Sequence, residues 1–346
     1  MKKELLMGTA LVSTLGAASV AEAVTATMSG NHQTGMEFDS PTGGTDTNAQ
    51  INDNNFTVSL SETTDAGMTI SSSFKVMDEN TKEDYDAGFT LAFTDGSKLD
   101  LINAGNASGS HAVSIPDSAG AEGVGNTSTN MAPTGLDFMT GSTVLGVEYH
   151  TASDFLADGL KMSFSASTDS GAANTATYRT DGHFAIGATY VTDLGDTALT
   201  IGAGYSEVDG AKTGTAVNDD TGGIHVGLSA VTGDLTVAVG FADGSVAGVS
   251  DNGSDEYTAE VIKAGVKYVT GDLTFNVGIA SGEADDHAIG GSDGADDSQD
   301  VTSASVSYAV AAGVTALLGY TTTESADEGG ATDDGSAWYI GANMTF

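Results

Sequence analysis

The last eleven residues, 336–346, read Ser-Ala-Trp-Tyr-Ile-Gly-Ala-Asn-Met-Thr-Phe and decide the fold. Every second residue from Trp338 to Phe346 is apolar, and Tyr, Gly, Asn and Thr stand between them. Successive side chains of a β-strand point to opposite faces, so this spacing predicts a strand with one apolar face. That apolar face, formed by Trp338, Ile340, Ala342, Met344 and Phe346, ends on the final residue of the chain.

The same period-two pattern recurs along the whole chain. In 160–167, Leu, Met, Phe and Ala share one face while Lys and Ser share the other, and 199–205, 235–241 and 273–279 repeat the scheme. The pattern therefore predicts an all-β protein. We predict sixteen strands, at 24–38, 54–63, 68–77, 87–94, 98–103, 143–151, 160–168, 178–191, 197–206, 223–231, 235–242, 259–269, 273–280, 302–310, 314–322 and 336–346.

The connections between these strands alternate in length. Short connections rich in Gly and Asp, the residues favoured in tight hairpins, lie at 63–67, 94–97, 192–196, 231–234, 269–272 and 311–313. Long polar connections lie at 39–53, 78–86, 207–222, 243–256, 281–300 and 323–335. An even number of strands with short turns at one end and long loops at the other is typical of a transmembrane up-and-down β-barrel.

The composition excludes several classes of protein. The chain has 346 residues, 10 basic and 48 acidic, with a net charge of −38 and no Cys. The missing Cys excludes disulfide scaffolds, Cys-ligated metals and thiol nucleophiles. The acidic charge argues against nucleic acid as a partner. Beyond the N-terminal segment no apolar run approaches the roughly 18 residues of a membrane-spanning helix.

The first 23 residues have the order of features found in a secretory signal peptide. Lys2 and Lys3 precede an apolar run from Leu5 to Val20, and Ala21-Glu22-Ala23 has the small residues of a cleavage site. We expect residues 1–23 to be removed on export and residues 24–346 to form the mature barrel. The mature chain then has 10 − 2 = 8 basic and 48 − 2 = 46 acidic residues.

A soluble β-sandwich also alternates apolar and polar residues, but it buries its apolar face. A sandwich needs neither the strict alternation of short and long connections nor aromatic residues at the strand ends. A calcium-binding β-helix would need tandem glycine-rich nonapeptides, which the chain lacks. Tyrosines at the ends of apolar faces instead match the aromatic girdle of a membrane barrel: Tyr149, Tyr190, Tyr205, Tyr268, Tyr308 and Tyr320.

At the terminal strand the chain resembles a known family, the general diffusion porins of alphaproteobacteria. Segment 61–68, running into 72–75, looks like that family's hairpin between strands two and three. Segments 88–93 and 96–101 resemble its hairpin between strands four and five, and the long Gly- and Ser-rich segment 102–141 stands where the family has its third loop. The resemblance covers nearly all of the mature chain.

The resemblance implies a homotrimer of sixteen-stranded barrels in the bacterial outer membrane. It implies that the third loop, 102–141, folds into the lumen and narrows the pore. It also implies that the barrel-assembly machinery recognises the terminal strand through Phe346, with Trp338 on the same face. The expected partners are the lipid bilayer and lipopolysaccharide. A barrel of about sixteen strands is wide enough to leave an aqueous channel, in agreement with the pore that the resemblance implies.

The charged residues of the strands are candidates for setting selectivity. A charge on the lipid face costs about 2–4 kcal/mol at the bilayer midplane, so strand cations are expected to face the lumen. By this argument a positive wall is formed by Lys75, Lys161, Arg179, Lys263 and Lys267. We expect it to face acidic residues of the third loop: Asp117, Glu122 and Asp137. The same residues could also be scattered lumen charges. The resemblance implies several arginines on this wall, whereas the chain has a single Arg.

The long loops hold most of the remaining acidic charge, and 281–300 alone has seven carboxylates. They either keep the external face soluble or bind Ca²⁺ or Mg²⁺, although no spacing identifies ligands. No other cofactor is expected. A negative pore mouth predicts a preference for cations that weakens with salt.

The sequence therefore predicts a non-enzymatic outer-membrane porin for small hydrophilic solutes. The alternative is a barrel acting as an adhesin or a structural envelope protein, in which the pore is incidental. The chain has no motif of a hydrolase, a zinc protease or a phosphate-binding loop.

Overall fold

A computed structural model describes residues 24–41, 44–78, 81–82, 88–101, 106–117, 146–167, 179–180, 183–208, 211–213, 216–217, 221–247, 256–284, 297–327 and 334–346. The strands of the described residues are β1 Thr25–Pro41, β2 Thr47–Thr63, β3 Thr69–Asp78, β4 Thr81–Lys82, β5 Phe89–Ala92, β6 Lys98–Leu101, β7 Val147–His150, β8 Leu160–Ser167, β9 Arg179–Thr180, β10 His183–Leu194, β11 Thr197–Val208, β12 Ala211–Thr213, β13 Ala216–Val217, β14 Thr221–Thr232, β15 Leu235–Ala247, β16 Glu256–Thr270, β17 Leu273–Ala284, β18 Asp297–Ala311, β19 Val314–Asp327 and β20 Gly335–Thr345.

Sixteen of these strands, within the described residues, form one closed antiparallel barrel. Each pairs with its neighbour in chain order, and β1 pairs with both β2 and β20, so the sheet has no free edge. The closing pair matches Asn31 with Thr345 and Pro41 with Gly335. Beyond the end of β20, Gly30 and Phe346 exchange backbone hydrogen bonds of 3.0 and 3.1 Å. The predicted all-β barrel and its sixteen strands are thus confirmed.

Burial in the barrel is inverted relative to a soluble protein. Polar side chains are buried on the inner face, and Ser163 and Gln299 have no exposed surface. Large apolar side chains stand exposed on the outer face, where Ile279 and Ile340 are more than half exposed. An antiparallel sheet in water would place these two faces the other way round. The barrel therefore has a polar lumen and an apolar outer belt suited to lipid.

The predicted tight turns have the geometry that their glycines require. Gly233 and Gly271 have φ of 56° and 59°, in the left-handed region that favours glycine, and each closes a short connection. The first hairpin is longer than predicted: β1 and β2 remain paired to Asp39 and Thr47, within the predicted loop 39–53. Residues 47–55 of β2 are almost all polar. The sequence therefore lacks the alternation of apolar and polar residues that would have predicted a strand there.

The chain between β6 and β7 supplies the one helical turn among the described residues, a 3₁₀ turn at Gly109–His111. Within those residues no helix is long and apolar enough to cross a membrane.

Candidate functional site

The described part of the third loop, residues 106–117, lies inside the barrel against the lumen face. The backbone N–H of Ala107 donates to Ser165 Oγ on β8 at 3.0 Å. The Nε2 of His225 on β14 donates to the Ser108 carbonyl at 2.9 Å. The predicted inward fold of this loop is therefore confirmed for residues 106–117. The remainder of 102–141 lies outside the described residues.

Glycines on the lumen face make room for this segment. A Cβ on Gly227 of β14 would stand 2.7 Å from Val113 Cβ, and one on Gly278 of β17 would stand 2.8 Å from Asp117 Cβ. A Cβ on Gly265 of β16 would collide with the Pro116 carbonyl. Real Cβ atoms do not approach other atoms this closely. We call the surface on which segment 106–117 lies the glycine seat. It is formed by Gly187, Gly202, Gly204, Gly227, Gly265 and Gly278.

His111 anchors the segment at its 3₁₀ turn. Its Nδ1 lies 2.6 Å from Thr189 Oγ1 on β10, and its Nε2 lies 2.8 Å from Ser163 Oγ on β8. His111 is 3% exposed. Burial, with smaller contributions from Lys161, His150 and His225, lowers the pKa of His111 to about 4. The ring is therefore neutral near pH 7 and joins two strands to the loop.

The structure places Asp117, one of the predicted loop carboxylates, in contact with Lys263, one of the predicted wall cations. Its Oδ2 lies 2.5 Å from Lys263 Nζ, and both side chains are partly buried. The two charges touch, whereas the sequence prediction had them facing each other from loop and wall. A contact pair cancels most of its own field, so it contributes less to a field across the lumen than two separated charges would.

The other predicted wall cations occupy different positions. The register pairs Lys75 with Thr57, Lys161 with Thr189 and Lys267 with Thr236, which places all three on the lumen face. Of these three, Lys161 lies close enough to His111 to lower its pKa. Glu122 and Asp137 lie outside the described residues, so their positions stay predictions.

Arg179 differs from its predicted place on the eighth strand. The barrel strand β10 begins only at His183, and the backbone of Arg179 pairs with Lys212 in a separate sheet of β9, β12 and β13. The Asp181-Gly182 pair, a turn-favouring dipeptide, stands between Arg179 and β10 in the sequence. The small sheet is formed by the two long connections on either side of the β10–β11 hairpin.

A second group of charged residues gathers on the strands that flank the third loop. Asp100 on β6 and Glu148 and His150 on β7 have one carboxylate oxygen or ring nitrogen each, all within 4.8 Å of one another. Glu148 is 2% exposed and accepts a hydrogen bond of 2.8 Å from Ser110 Oγ in the loop. Sequence reasoning did not find this group. Its one sequence signal is that all three occupy polar positions of strands that alternate.

The predicted acidic loop 281–300 lies largely outside the described residues, at 285–296. Binding of Ca²⁺ or Mg²⁺ there stays a prediction, as does cleavage of the signal peptide 1–23.

A closed barrel that is apolar outside and polar inside spans a bilayer and surrounds an aqueous path. The arrangement defines the class of protein: an outer-membrane diffusion channel. The profile of the Gram-negative porin family matches residues 8–328, and the chain belongs to this family. The protein is therefore a non-enzymatic channel of the outer membrane. Comparison with curated proteins finds no match.

Solved structures share the fold at low sequence identity. An anion-selective porin from Comamonas acidovorans has a TM-score of 0.65 and 12% identity, covering 93% of this chain and 100% of its own. The outer-membrane channel DcaP of Acinetobacter baumannii has a TM-score of 0.62 and 10% identity, covering 93% and 97%. The trimer form of the Vibrio cholerae outer-membrane protein OmpT has a TM-score of 0.60 and 13% identity, covering 94% and 100%. At these identities the similarity shows the fold alone.

Proposed function

We propose that this porin passes small hydrophilic solutes and ions down their gradients and prefers cations. The observation that carries the proposal is the inverted burial of a closed sixteen-stranded barrel whose polar lumen holds residues 106–117 of the third loop. Such a lumen admits water and polar solutes, and it offers apolar solutes no favourable surface.

The preference for cations follows from the charge balance. The mature chain carries 46 acidic and 8 basic residues, and the long loops at one end hold a large share of the carboxylates. Within the described lumen, the contact between Lys263 and Asp117 neutralises one wall cation. A negative mouth raises the local concentration of cations within about 8–10 Å at physiological salt. The anion-selective porin of Comamonas acidovorans shares this fold, so the proposed cation preference rests on the charge balance and not on the fold.

A trimeric assembly is part of the proposal. The OmpT structure with the same fold is described as a trimer form. In this chain Ala304 on β18 and Ala316 on β19 present small side chains outward, where a neighbouring barrel could approach closely.

The partners follow from the outer face and the terminal strand. The exposed apolar belt suits the lipid bilayer, and the acidic external loops suit lipopolysaccharide whose phosphates are bridged by divalent cations. The terminal strand β20 and the residue that follows it offer an apolar signal to the barrel-assembly machinery, because Trp338 is half exposed and Phe346 is 63% exposed on the same outer face.

Two assays on refolded protein of residues 24–346 test this function. Liposomes containing the protein should swell in small sugars and progressively less in larger ones, as a size-limited pore requires. Reversal potentials under a salt gradient should show cation preference that declines as salt rises. Anion preference would overturn the proposed selectivity alone.

The second candidate, an adhesin or structural envelope protein, is separated by the same experiment. Protein that folds but passes neither sugars nor ions would favour that candidate over the diffusion channel.

A further inference from the structure

We propose that Asp100, Glu148 and His150 form a binding site for one divalent transition-metal cation of the Zn²⁺ class. The site lies on the lumen face of β6 and β7, where these strands flank the third loop. It is separate from the acidic external loops, for which binding of Ca²⁺ or Mg²⁺ was one of two alternatives.

The spacing of the three side chains suits one ion. His150 Nε2 lies 2.9 Å from Asp100 Oδ2 and 3.6 Å from Glu148 Oε1. Bonds from Zn²⁺ to nitrogen or oxygen are about 2.0–2.2 Å long, which places two ligands of one ion about 3–4 Å apart. The register holds this geometry, since Asp100 pairs directly with Glu148 and His150 follows two residues later on the same face.

A second layer of hydroxyls orients each of the three side chains. Thr90 Oγ1 donates to Asp100 Oδ1, and Ser110 Oγ donates to Glu148 Oε1 at 2.8 Å. His150 Nδ1 lies 2.7 Å from Ser163 Oγ. When Nδ1 carries the proton and donates it to Ser163, Nε2 presents its lone pair to the ion. Such outer partners are characteristic of metal-binding histidines and carboxylates.

The charge of the group also favours a divalent cation. Among the described residues, neither Asp100 nor Glu148 forms an ion pair with Lys or Arg, and each lies within 4.0 Å of the His150 ring. Glu148 is 2% exposed, and a buried carboxylate is costly without a compensating charge. A protonated His150 balances one carboxylate. A divalent ion bound to the neutral ring balances both.

The ligand types identify the class of metal. Ca²⁺ and Mg²⁺ prefer sites made of oxygen alone, while an imidazole with carboxylates suits Zn²⁺ and its transition-metal neighbours. Because Ser110 of the third loop contacts Glu148, the ion would also tie the loop to the wall.

Calorimetric titration of the refolded protein with ZnSO₄ in detergent tests the proposal without relying on conductance. Wild type should bind one Zn²⁺ per chain. Glu148→Gln, Asp100→Asn and His150→Asn should each lose saturable binding. Ser163→Ala, which removes the outer partner of His150 and also the hydroxyl that contacts His111 Nε2, should weaken it about 10- to 100-fold. The matched control is His32→Asn, a histidine on β1 outside the group, which should bind like wild type.

Retention of the heat-resistant folded form should be checked for each variant, and Ser163→Ala provides the test if a ligand variant fails to fold. The proposal is overturned if wild type shows no saturable binding. It is equally overturned if folded ligand variants bind as tightly as wild type, or if His32→Asn loses binding to the same extent.

Discussion

At the scale of single residues, the glycines of the lumen explain how the barrel holds its third loop. Where segment 106–117 touches the wall, the strands present glycines: Gly187, Gly202, Gly204, Gly227, Gly265 and Gly278. The absence of a side chain lets the loop backbone approach the sheet closely. These glycines serve the close approach and are not needed for strand formation, which glycine disfavours.

Gly265→Val should displace segment 106–117 from the wall. The added Cβ collides with the Pro116 carbonyl, and overpacking of this kind costs about 1–3 kcal/mol. We expect noisier single-channel currents and faster proteolysis within the loop. Ser307→Val is the matched control, because Ser307 lies on the lumen face of β18, away from the segment. Equal behaviour of the two variants would contradict the claim that the glycine seat holds segment 106–117 against the wall.

Lys263→Met and Asp117→Asn should shift ion selectivity in opposite directions. Each variant removes one charge of the contact pair and keeps the other in the lumen, so the first raises cation preference and the second lowers it. One unit charge in a water-like dielectric is worth about 1 kcal/mol at 4 Å, equivalent to about a fivefold change in permeability ratio. Reversal potentials measure the ratio, and two shifts of the same sign would contradict the assignment.

At the scale of elements, the third loop and β20 show what the sequence could and could not reveal. The period-two pattern of β20 was enough to predict the strand, its apolar face and its terminal position. The lumen location of 106–117 rested on the family resemblance, because its residues carry no periodic signal of their own. The group of Asp100, Glu148 and His150 was missed because pairing between strands separated by a long loop creates it. Register brings such residues together, and sequence spacing does not reveal register.

The stability of wild type should depend on pH through His111. Its pKa is lowered to about 4 from 6.5, so between these values the unfolded chain binds a proton that the folded chain does not. Stability therefore falls as pH decreases through this window, by at most about 3 kcal/mol, and is unaffected above it. Loss of the heat-resistant form should be measured for wild type and His111→Asn at pH 7.5 and 4.5. Wild type should lose more on acidification than the variant, and equal losses would argue against a buried neutral ring.

Phe346→Ala should reduce assembly in cells more than stability in vitro. The backbone of Phe346 keeps its hydrogen bonds to Gly30 in the variant, and its ring, 63% exposed, contacts Phe56 at a centroid distance of 6.4 Å. We expect a clear fall in outer-membrane levels with little change in the heat resistance of refolded protein. Ile340→Ala, on the same outer face and 56% exposed, is the control. An equal fall for both variants would assign the effect to lost lipid contact.

At the scale of the whole molecule, the barrel separates two solvents. Its apolar outer belt faces lipid. Its polar inner face holds charged groups, and the field of these groups acts on passing ions. With 48 acidic and only 10 basic residues, the chain has a net charge of −38, which would destabilise a compact soluble fold through self-repulsion. Carboxylates in contact with water are screened by salt, which weakens this repulsion.

Single-channel conductance of refolded residues 24–346 in planar bilayers tests the diffusion channel most directly. An open trimeric pore should insert in discrete steps, with three conducting units per insertion and a reversal potential of cationic sign under a salt gradient. Protein that is folded and heat-resistant, yet inserts without measurable current, would contradict the diffusion channel.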